Sequence, residues 1–224
     1  MVENGTTACK WDTVIPFAPL WEAYKRVIKP GGAIVLTAAQ PFTSALVMSN
    51  PKWFKYDWAW NKNSSTCFVH AKHRPLGSHE SVLVFGKGKT TYNPQMTAGK
   101  PYYRGELDNS KIETCPTKKG KLIIGKNETG LRYPKTVIIF SNANRLKNIN
   151  PTQKPVALFE YLIKTYTNPG ELVLDNCLGS GTTAVACLNT SRHYIGIEKD
   201  DEYFKIAVNR VRNRQNELAC TLQL

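Results

Sequence analysis

Apolar positions recur at helical spacing over residues 17–28, which predicts an amphipathic helix near the start of the chain. Lys29-Pro30-Gly31-Gly32 ends that helix, because proline cannot continue it and glycine suits its cap. A second helix, which Gln40-Pro41 opens, is predicted over residues 41–49. Three short runs, either apolar or alternating, predict strands over residues 33–37, 56–60 and 81–85.

This periodicity fades between Gly86 and about Asn150, where Gly, Pro, Asn and Lys dominate and β-like pieces are short, at residues 122–124 and 136–140. Because so long a stretch with little regular pattern is unusual inside a compact domain, we predict an inserted region. The predicted organisation is an N-terminal part over residues 1–86, an insertion over residues 87–150 and a C-terminal part over residues 151–224.

Regular patterning returns with an amphipathic helix over residues 155–166, and Asn168-Pro169-Gly170 ends it. The remaining predicted elements are a strand at 171–175, a helix at 182–189, a strand at 194–198 and a helix at 201–214. Alternating strands and helices joined by short loops predict an α/β protein with a mainly parallel sheet.

Positive charge is concentrated in one part of the chain. The formal net charge is +13, and residues 87–147 contain 13 Lys and Arg against 4 Asp and Glu. Such a concentration favours a nucleic-acid partner over a generally solvated basic surface. Four tyrosines are interleaved there, namely Tyr92, Tyr102, Tyr103 and Tyr133. They either fill space near unstacked bases or, for Tyr102 and Tyr103 in particular, belong to the core.

Other sequence features exclude several classes of protein. No apolar run approaches the length of about 18 residues that a membrane span needs. Residues 1–15 lack the apolar core of a signal peptide, so we expect a cytoplasmic protein. The six cysteines have no metal-ligand spacing, which predicts reduced thiols and no metal site.

The most informative segment is residues 173–183, Val-Leu-Asp-Asn-Cys-Leu-Gly-Ser-Gly-Thr-Thr, followed by a strand that ends at Glu198. A glycine turn after a buried strand lets the backbone approach a ligand, and a carboxylate at the next strand's end can accept ribose hydrogen bonds. A nucleoside-containing cofactor is the first hypothesis. Gly179-x-Gly181-x-x-Ala184 also fits a relaxed dinucleotide fingerprint, so a dinucleotide-dependent oxidoreductase and a tight turn without a ligand are alternatives.

The combination of motifs resembles the amino-methylating DNA methyltransferases of the permuted β group. Thr152-Gln153-Lys154-Pro155, the glycine turn and Tyr194-Ile195-Gly196-Ile197-Glu198 carry the resemblance in the C-terminal part. In the N-terminal part it rests on Trp11-Asp12, Lys29-Pro30-Gly31-Gly32, Gln40-Pro41-Phe42, Trp58-x-Trp60 and His79-Glu80. The resemblance covers essentially the whole chain and implies a Rossmann-like methyltransferase fold in which residues 87–150 form the DNA target-recognition region.

The resemblance also implies S-adenosylmethionine as cofactor and double-stranded DNA as partner. The residues it assigns to the cofactor are Thr152, Lys154, Asp175, Asn176, Cys177, Gly179, Ser180, Gly181, Thr182, Thr183 and Glu198. Glu198 would bind the ribose, and the helix N-terminus at Thr182 suits the methionine carboxylate. The family often has Pro and Phe where this chain has Asn176 and Cys177, which weakens the expected apolar packing against the cofactor.

One departure concerns catalysis. The family's Asp-Pro-Pro-Tyr or Ser-Pro-Pro-Tyr motif should stand just before Gly5, where this chain has Met1-Val2-Glu3-Asn4. In the family, that motif positions the exocyclic amine of a flipped base. Because the motif is absent from residues 1–4, no catalytic residue is assigned here. We expect a copy shortened at its N-terminus rather than one completed by a strand from another polypeptide.

The function expected from sequence is methyl transfer to an exocyclic amine of DNA, adenine N6 rather than cytosine N4, with poor or no activity in the chain as given. A non-catalytic DNA-binding remnant of such an enzyme is the alternative. The recognition sequence, the oligomeric state and a companion restriction nuclease do not follow from the sequence.

Overall fold

The computed structural model describes residues 13–66, 68–103, 105–108, 121–123, 125–142 and 153–221. These residues form two compact units. The first contains the described residues up to Asn93 and from Thr136 onward, and the second is Pro94–Lys135. The second unit lies within the sequence range for which we predict an insertion.

The described helices are α1 (Phe17–Val27), α2 (Phe42–Ser49), α3 (Val156–Tyr166), α4 (Thr182–Asn189) and α5 (Asp201–Thr221). The described strands are β1 (Ile34–Ala38), β2 (Phe54–Thr66), β3 (Gly77–Phe85), β4 (Tyr102–Tyr103), β5 (Glu106–Asp108), β6 (Lys121–Ile123), β7 (Lys126–Asn127), β8 (Val137–Ile139), β9 (Leu172–Asp175) and β10 (His193–Gly196). A single 3-10 turn, Phe68–His70, follows β2. None of the helices in these described ranges is long and apolar enough to cross a membrane.

Two sheets make up the first unit. One has the order β1-β3-β2-β8, in which β3 is antiparallel to both neighbours and β8 is parallel to β2. The other is the parallel pair β9 and β10. The strand β8 comes from the sequence range of the predicted insertion, yet it pairs with the main sheet through Ala59 and Val137. The α/β class predicted from the alternating pattern is confirmed.

Both edges of each sheet lack a further described strand. Within the described ranges, β1 pairs only with β3, and β9 pairs only with β10. The family resemblance places one further strand beside residues 171–175, and no described residue fills that place. Among the described residues, β9 therefore has a strand partner on one side alone.

The core is built on both faces of β3. Val82 and Val84 pack on one face with Trp58 and Trp60 of β2, and Leu83 and Phe85 pack on the other. This alternation follows from the two-residue period of a strand, and all four β3 side chains are almost fully buried. Burial of side chains of this size stabilises a fold by roughly 1.5–3 kcal/mol each.

Helix α3 links the two sheets of the first unit. Leu158, Leu162 and Tyr166 pack against β2 and β3, and the indole N–H of Trp58 donates to the Tyr166 hydroxyl at 2.7 Å. Ile163 packs instead with α4 and with Val173 of β9. Because α3 packs on both sides, the core fixes the position of this helix. It thereby also fixes residues 153–155, which directly precede the helix.

The second unit consists of two short antiparallel pairs, β4 with β7 and β5 with β6. Thr97 and Arg132 form an additional antiparallel bridge. The Arg132 guanidinium lies over the Tyr102 ring at 4.5 Å from its centroid, which is a cation–π contact.

Candidate functional site

The turn after β9 is closed by the carboxylate of Asp175. One oxygen accepts the Cys177 amide N–H at 3.0 Å, and the other accepts the Thr183 hydroxyl. Cys177 lies inside the turn and Thr183 lies in the first turn of α4. The single carboxylate therefore holds both ends of the segment 176–182.

The glycines of this turn have conformations that other residues adopt only with strain. Gly179 has φ of 55° and Gly181 has φ of 85°. A Cβ built on Gly181 would lie 3.0 Å from the Ala207 Cβ and 3.1 Å from its Cα. Glycine is required there both for its backbone angle and for the close approach of α5.

Glu198 holds the same turn from the side of β10. Its carboxylate accepts the Gly179 amide N–H at 2.7 Å and the Asp200 amide N–H at 2.9 Å. The residue is half-buried. Since a carboxylate has about four acceptor sites, further hydrogen bonds to a ligand remain possible.

The hydroxyl groups of the turn point into the protein. Ser180 donates to the Gln153 side-chain oxygen at 2.9 Å, and Thr182 donates to the Lys154 carbonyl at 3.3 Å. Ser180, Thr182 and Thr183 are all buried. Ser180 and Thr182 fix the turn to the segment before α3, and Thr183 fixes it to Asp175, which leaves backbone amides at the start of α4 as the groups suited to an anion.

A buried ion-pair cluster lies beside this contact. The Glu80 carboxylate pairs with the Lys154 ammonium at 3.1 Å and also with the Lys62 ammonium. Burial tends to raise the pKa of Glu80, but the two ammonium groups overcome that effect and hold it below its usual range. Both ammonium groups also lie within 6 Å of the Trp60 ring centroid, at 5.9 Å and 5.6 Å.

Two further residues contact the turn. The Arg210 guanidinium donates to the Ser180 carbonyl at 2.6 Å and to its hydroxyl at 2.9 Å, and burial lowers the pKa of Arg210. The Tyr24 hydroxyl donates to the Asn176 side-chain oxygen at 2.9 Å. Burial, aided by Cys177 and Asp175, raises the pKa of Tyr24 to about 12, so its phenol is a neutral donor at physiological pH.

The structure brings most of the sequence-predicted site residues together around one turn. Thr152 and residues 1–4, where the catalytic motif is expected, lie outside the described residues. The residue Cys177 is exposed, but partial desolvation of its thiol, together with the nearby Asp175 and Glu198, raises its pKa. Sequence reasoning missed five residues, namely Tyr24, Lys62, Glu80 as an ion-pair partner, Gln153 and Arg210. Gln153 and Glu80 carried a signal, because they stand inside the Thr152-Gln153-Lys154-Pro155 and His79-Glu80 motifs.

Replacing Tyr24 by phenylalanine tests the link between α1 and the turn. The substitution removes only the hydroxyl that holds Asn176. We expect a ligand of the turn to bind about 5- to 10-fold more weakly, which corresponds to one hydrogen bond of about 1 kcal/mol. The control is Tyr133→Phe, which alters a side chain that is 74% exposed, and equal affinities for the two variants would contradict a role for Tyr24.

The chain matches a family of DNA methylases, N6_N4_Mtase, over residues 10–209. It is 31% identical over 163 residues to the Type II methyltransferase M.BglII of Bacillus subtilis, covering 66% of this chain and 40% of that protein. It is 29% identical over 228 residues to the Type II methyltransferase M.HpaI of Haemophilus parainfluenzae, covering 96% of this chain and 65% of that protein. The chain thus spans between 40% and 65% of the length of these two relatives.

Two solved structures of DNA methyltransferases have a fold similar to that of this chain. The M1.HpyAVI-SAM complex is similar with a TM-score of 0.60 and 27% identity, covering 90% of this chain and 85% of that chain. The cytosine-N4-specific PvuII DNA methyltransferase is similar with a TM-score of 0.56, covering 88% of this chain and 75% of that chain, and its 17% identity supports the fold alone. The glycine turn, the segment before α3 and the sheet order are therefore parts of a Rossmann-like methyltransferase fold, and the chain belongs to the N6/N4 DNA methylase family.

Proposed function

We propose that this chain binds S-adenosylmethionine at the glycine turn and serves methyl transfer to an exocyclic amine of double-stranded DNA. The observation that carries the proposal is the contact between the Gln153-Lys154 element and the turn, through Ser180 and Thr182. The contacting residues of these two motifs lie 27 and 28 positions apart in sequence, and a dinucleotide-dependent enzyme has no need of the first motif.

The turn fits the proposed cofactor. Backbone amides at the start of α4 suit its methionine carboxylate, and no described side chain caps this helix end. Glu198 would accept its ribose hydroxyls, while Asp175 keeps the turn in shape. When bound, S-adenosylmethionine supplies an electrophilic methyl group, and Lys154 and Thr152 belong to the element that would contact its methionine part.

The proposed DNA partner accounts for the basic segment. We propose residues 87–150 as the target-recognition region, within which Lys and Arg side chains would contact phosphates. In the described part of this segment, Tyr103 and Tyr133 are 62% and 74% exposed. Exposed tyrosines between cations fit unstacked bases better than a core role. Tyr102 instead lies beneath Arg132.

Methyl transfer to an amine requires acceptors for the hydrogens of the attacking nitrogen. The family's Asp-Pro-Pro-Tyr or Ser-Pro-Pro-Tyr tetrapeptide supplies them, and residues 1–224 contain neither sequence. We therefore expect purified residues 1–224 to transfer methyl groups poorly or not at all. The same polypeptide extended by a strand that ends in Asp-Pro-Pro-Tyr should be active, with N6-methyladenine rather than N4-methylcytosine as product.

The experiment follows the transfer of a labelled methyl group from S-adenosylmethionine to mixed-sequence duplex DNA by both polypeptides. The extension with Ala-Pro-Pro-Ala in place of the tetrapeptide is the matched control. Activity confined to the Asp-Pro-Pro-Tyr version supports the proposal. DNA binding without activity in any version favours a non-catalytic DNA-binding remnant, and full activity of residues 1–224 would refute the role given to the tetrapeptide.

A further inference from the structure

An exposed apolar pair lies at the tip of the hairpin formed by β2 and β3. The loop between these strands begins with the 3-10 turn Phe68–His70. Phe68 is 64% exposed and Val69 is 91% exposed. We refer to the segment 68–74 as the hairpin tip. Two adjacent apolar side chains exposed on one turn form a candidate contact for a partner.

The backbone of the hairpin tip is ordered by its own hydrogen bonds. The amide N–H of Ala71 donates to the Phe68 carbonyl at 3.1 Å, and that of Arg74 donates to the His70 carbonyl at 3.0 Å. The base of the loop is closed by the Thr66 hydroxyl, which donates to the Gly77 carbonyl at 3.1 Å. The apolar pair is thus presented on a defined turn.

The charge around the pair has a single sign. The sequence contains no Asp or Glu between Asp57 and Glu80. Lys72 and Arg74 are both exposed on the hairpin tip itself. Apolar side chains flanked by cations match the surface of a polyanion that has an apolar interior, which describes duplex DNA.

The hairpin tip lies at the end of β2 and β3 that faces the proposed cofactor site. Glu80 of β3 pairs with Lys154, and the Lys154 carbonyl accepts the Thr182 hydroxyl of the glycine turn. Three residues of β3 separate Glu80 from Gly77, which corresponds to about 10 Å at roughly 3.3 Å per residue, so the loop that carries the tip starts close to this ion pair.

We propose that the hairpin tip is a wedge that enters duplex DNA beside the base that is methylated. The inference rests on the proposed function, because an amine inside a duplex can react only after its base leaves the stack. Phe68 and Val69 would occupy the apolar space that the base vacates, while Lys72 and Arg74 would contact the flanking phosphates.

Binding of residues 1–224 to two DNA probes tests the wedge. One probe is a fully paired duplex, and the other is the same duplex with a single abasic site, where the vacated space already exists. The unmodified chain should prefer the abasic duplex by about tenfold or more, because Phe68 and Val69 can fill the vacated space there without unstacking a base. The double variant Phe68→Ser/Val69→Ser should lose this preference, while Met48→Ser, which alters a 72% exposed apolar residue of α2, should keep it.

The cations of the hairpin tip are tested separately. The double variant Lys72→Gln/Arg74→Gln should bind both duplexes more weakly and to a similar extent. Two lost phosphate contacts should reduce the slope of log affinity against log salt by roughly 2. All altered side chains are exposed, so the free energy of unfolding should stay unchanged in every variant.

Several outcomes would overturn the wedge. One is that Phe68→Ser/Val69→Ser keeps the full preference for the abasic duplex. Another is that this variant binds both DNA probes normally but loses binding to vesicles of phosphatidylcholine and phosphatidylserine, which would assign the tip to a lipid surface. If the unmodified chain binds S-adenosylmethionine but neither duplex, both the wedge and the proposal that DNA is the partner are refuted.

Discussion

Replacing Glu80 by glutamine is expected to lower the free energy of unfolding by about 3–5 kcal/mol, the usual cost of breaking a buried ion pair. The substitution keeps the shape of the side chain but removes the charge that compensates Lys62 and Lys154. Lys62 is only 8% exposed, so its ammonium group would be left without a counter-charge in a poorly hydrated place. Equilibrium unfolding in urea measures the change.

The matched control is Glu202→Gln, which breaks an exposed pair with Lys205 at 3.0 Å. This pair should contribute less than about 1 kcal/mol, as exposed ion pairs do. Equal destabilisation by the two glutamine variants would show that the Glu80 cluster is no more than a surface pair. A double variant, Glu80→Gln/Lys62→Met, should recover part of the loss, because it removes one of the uncompensated charges.

The same cluster predicts how stability depends on pH. The pKa of Glu80 is lower in the folded chain than in the unfolded chain. Its contribution is therefore present above the ordinary glutamate pKa of about 4.3 and is lost as the pH falls through the depressed folded value. Between neutral pH and that acidic range, the unmodified chain should lose more stability than Glu80→Gln.

Replacing Asp175 by alanine is expected to weaken S-adenosylmethionine binding by about 100-fold or more. The substitution removes the acceptors of the Cys177 amide and the Thr183 hydroxyl, which close the turn. Hydrogen bonds to a charged group contribute about 1.5–3 kcal/mol each, so losing two of them corresponds to at least that change in affinity. Isothermal titration calorimetry measures it.

Glu171→Ala is the control for Asp175, because it removes a carboxylate next to the opposite end of the same strand. Glu171 accepts the Asn168 amide N–H at 2.6 Å and lies before the start of β9, whereas the glycine turn follows the end of that strand. The conservative variant Asp175→Asn keeps one side-chain oxygen and should bind better than Asp175→Ala. Unchanged affinity of Asp175→Ala for S-adenosylmethionine would show that the turn is not part of the cofactor site.

Local patterns predicted much of the first unit. The helix α4 was predicted at its observed bounds, because a glycine turn marks its start and a short apolar run gives its length. The strand β2 is much longer than the predicted 56–60, since its polar half, Asn61–Thr66, is held by pairing with β3 rather than by its own apolar pattern. Pairing with a distant strand leaves no local trace.

Residues of the candidate site could be predicted from the sequence only where they belong to a recognisable motif. Gly181 and Glu198 follow from the turn and the strand end that sequence shows. Tyr24 and Arg210 reach the same turn from helices that are distant in sequence, and their roles depend on how α1 and α5 pack. Nothing in the spacing of a helix tells which of its polar residues will meet a particular loop.

The most direct test of the account is calorimetric titration of residues 1–224, shown beforehand to unfold cooperatively, with S-adenosylmethionine and with NAD. The account predicts saturable binding of S-adenosylmethionine at one site per chain, loss of that binding in Asp175→Ala and no heat of binding with NAD. Binding of NAD with none of S-adenosylmethionine would contradict it, and would assign the glycine turn to a dinucleotide instead.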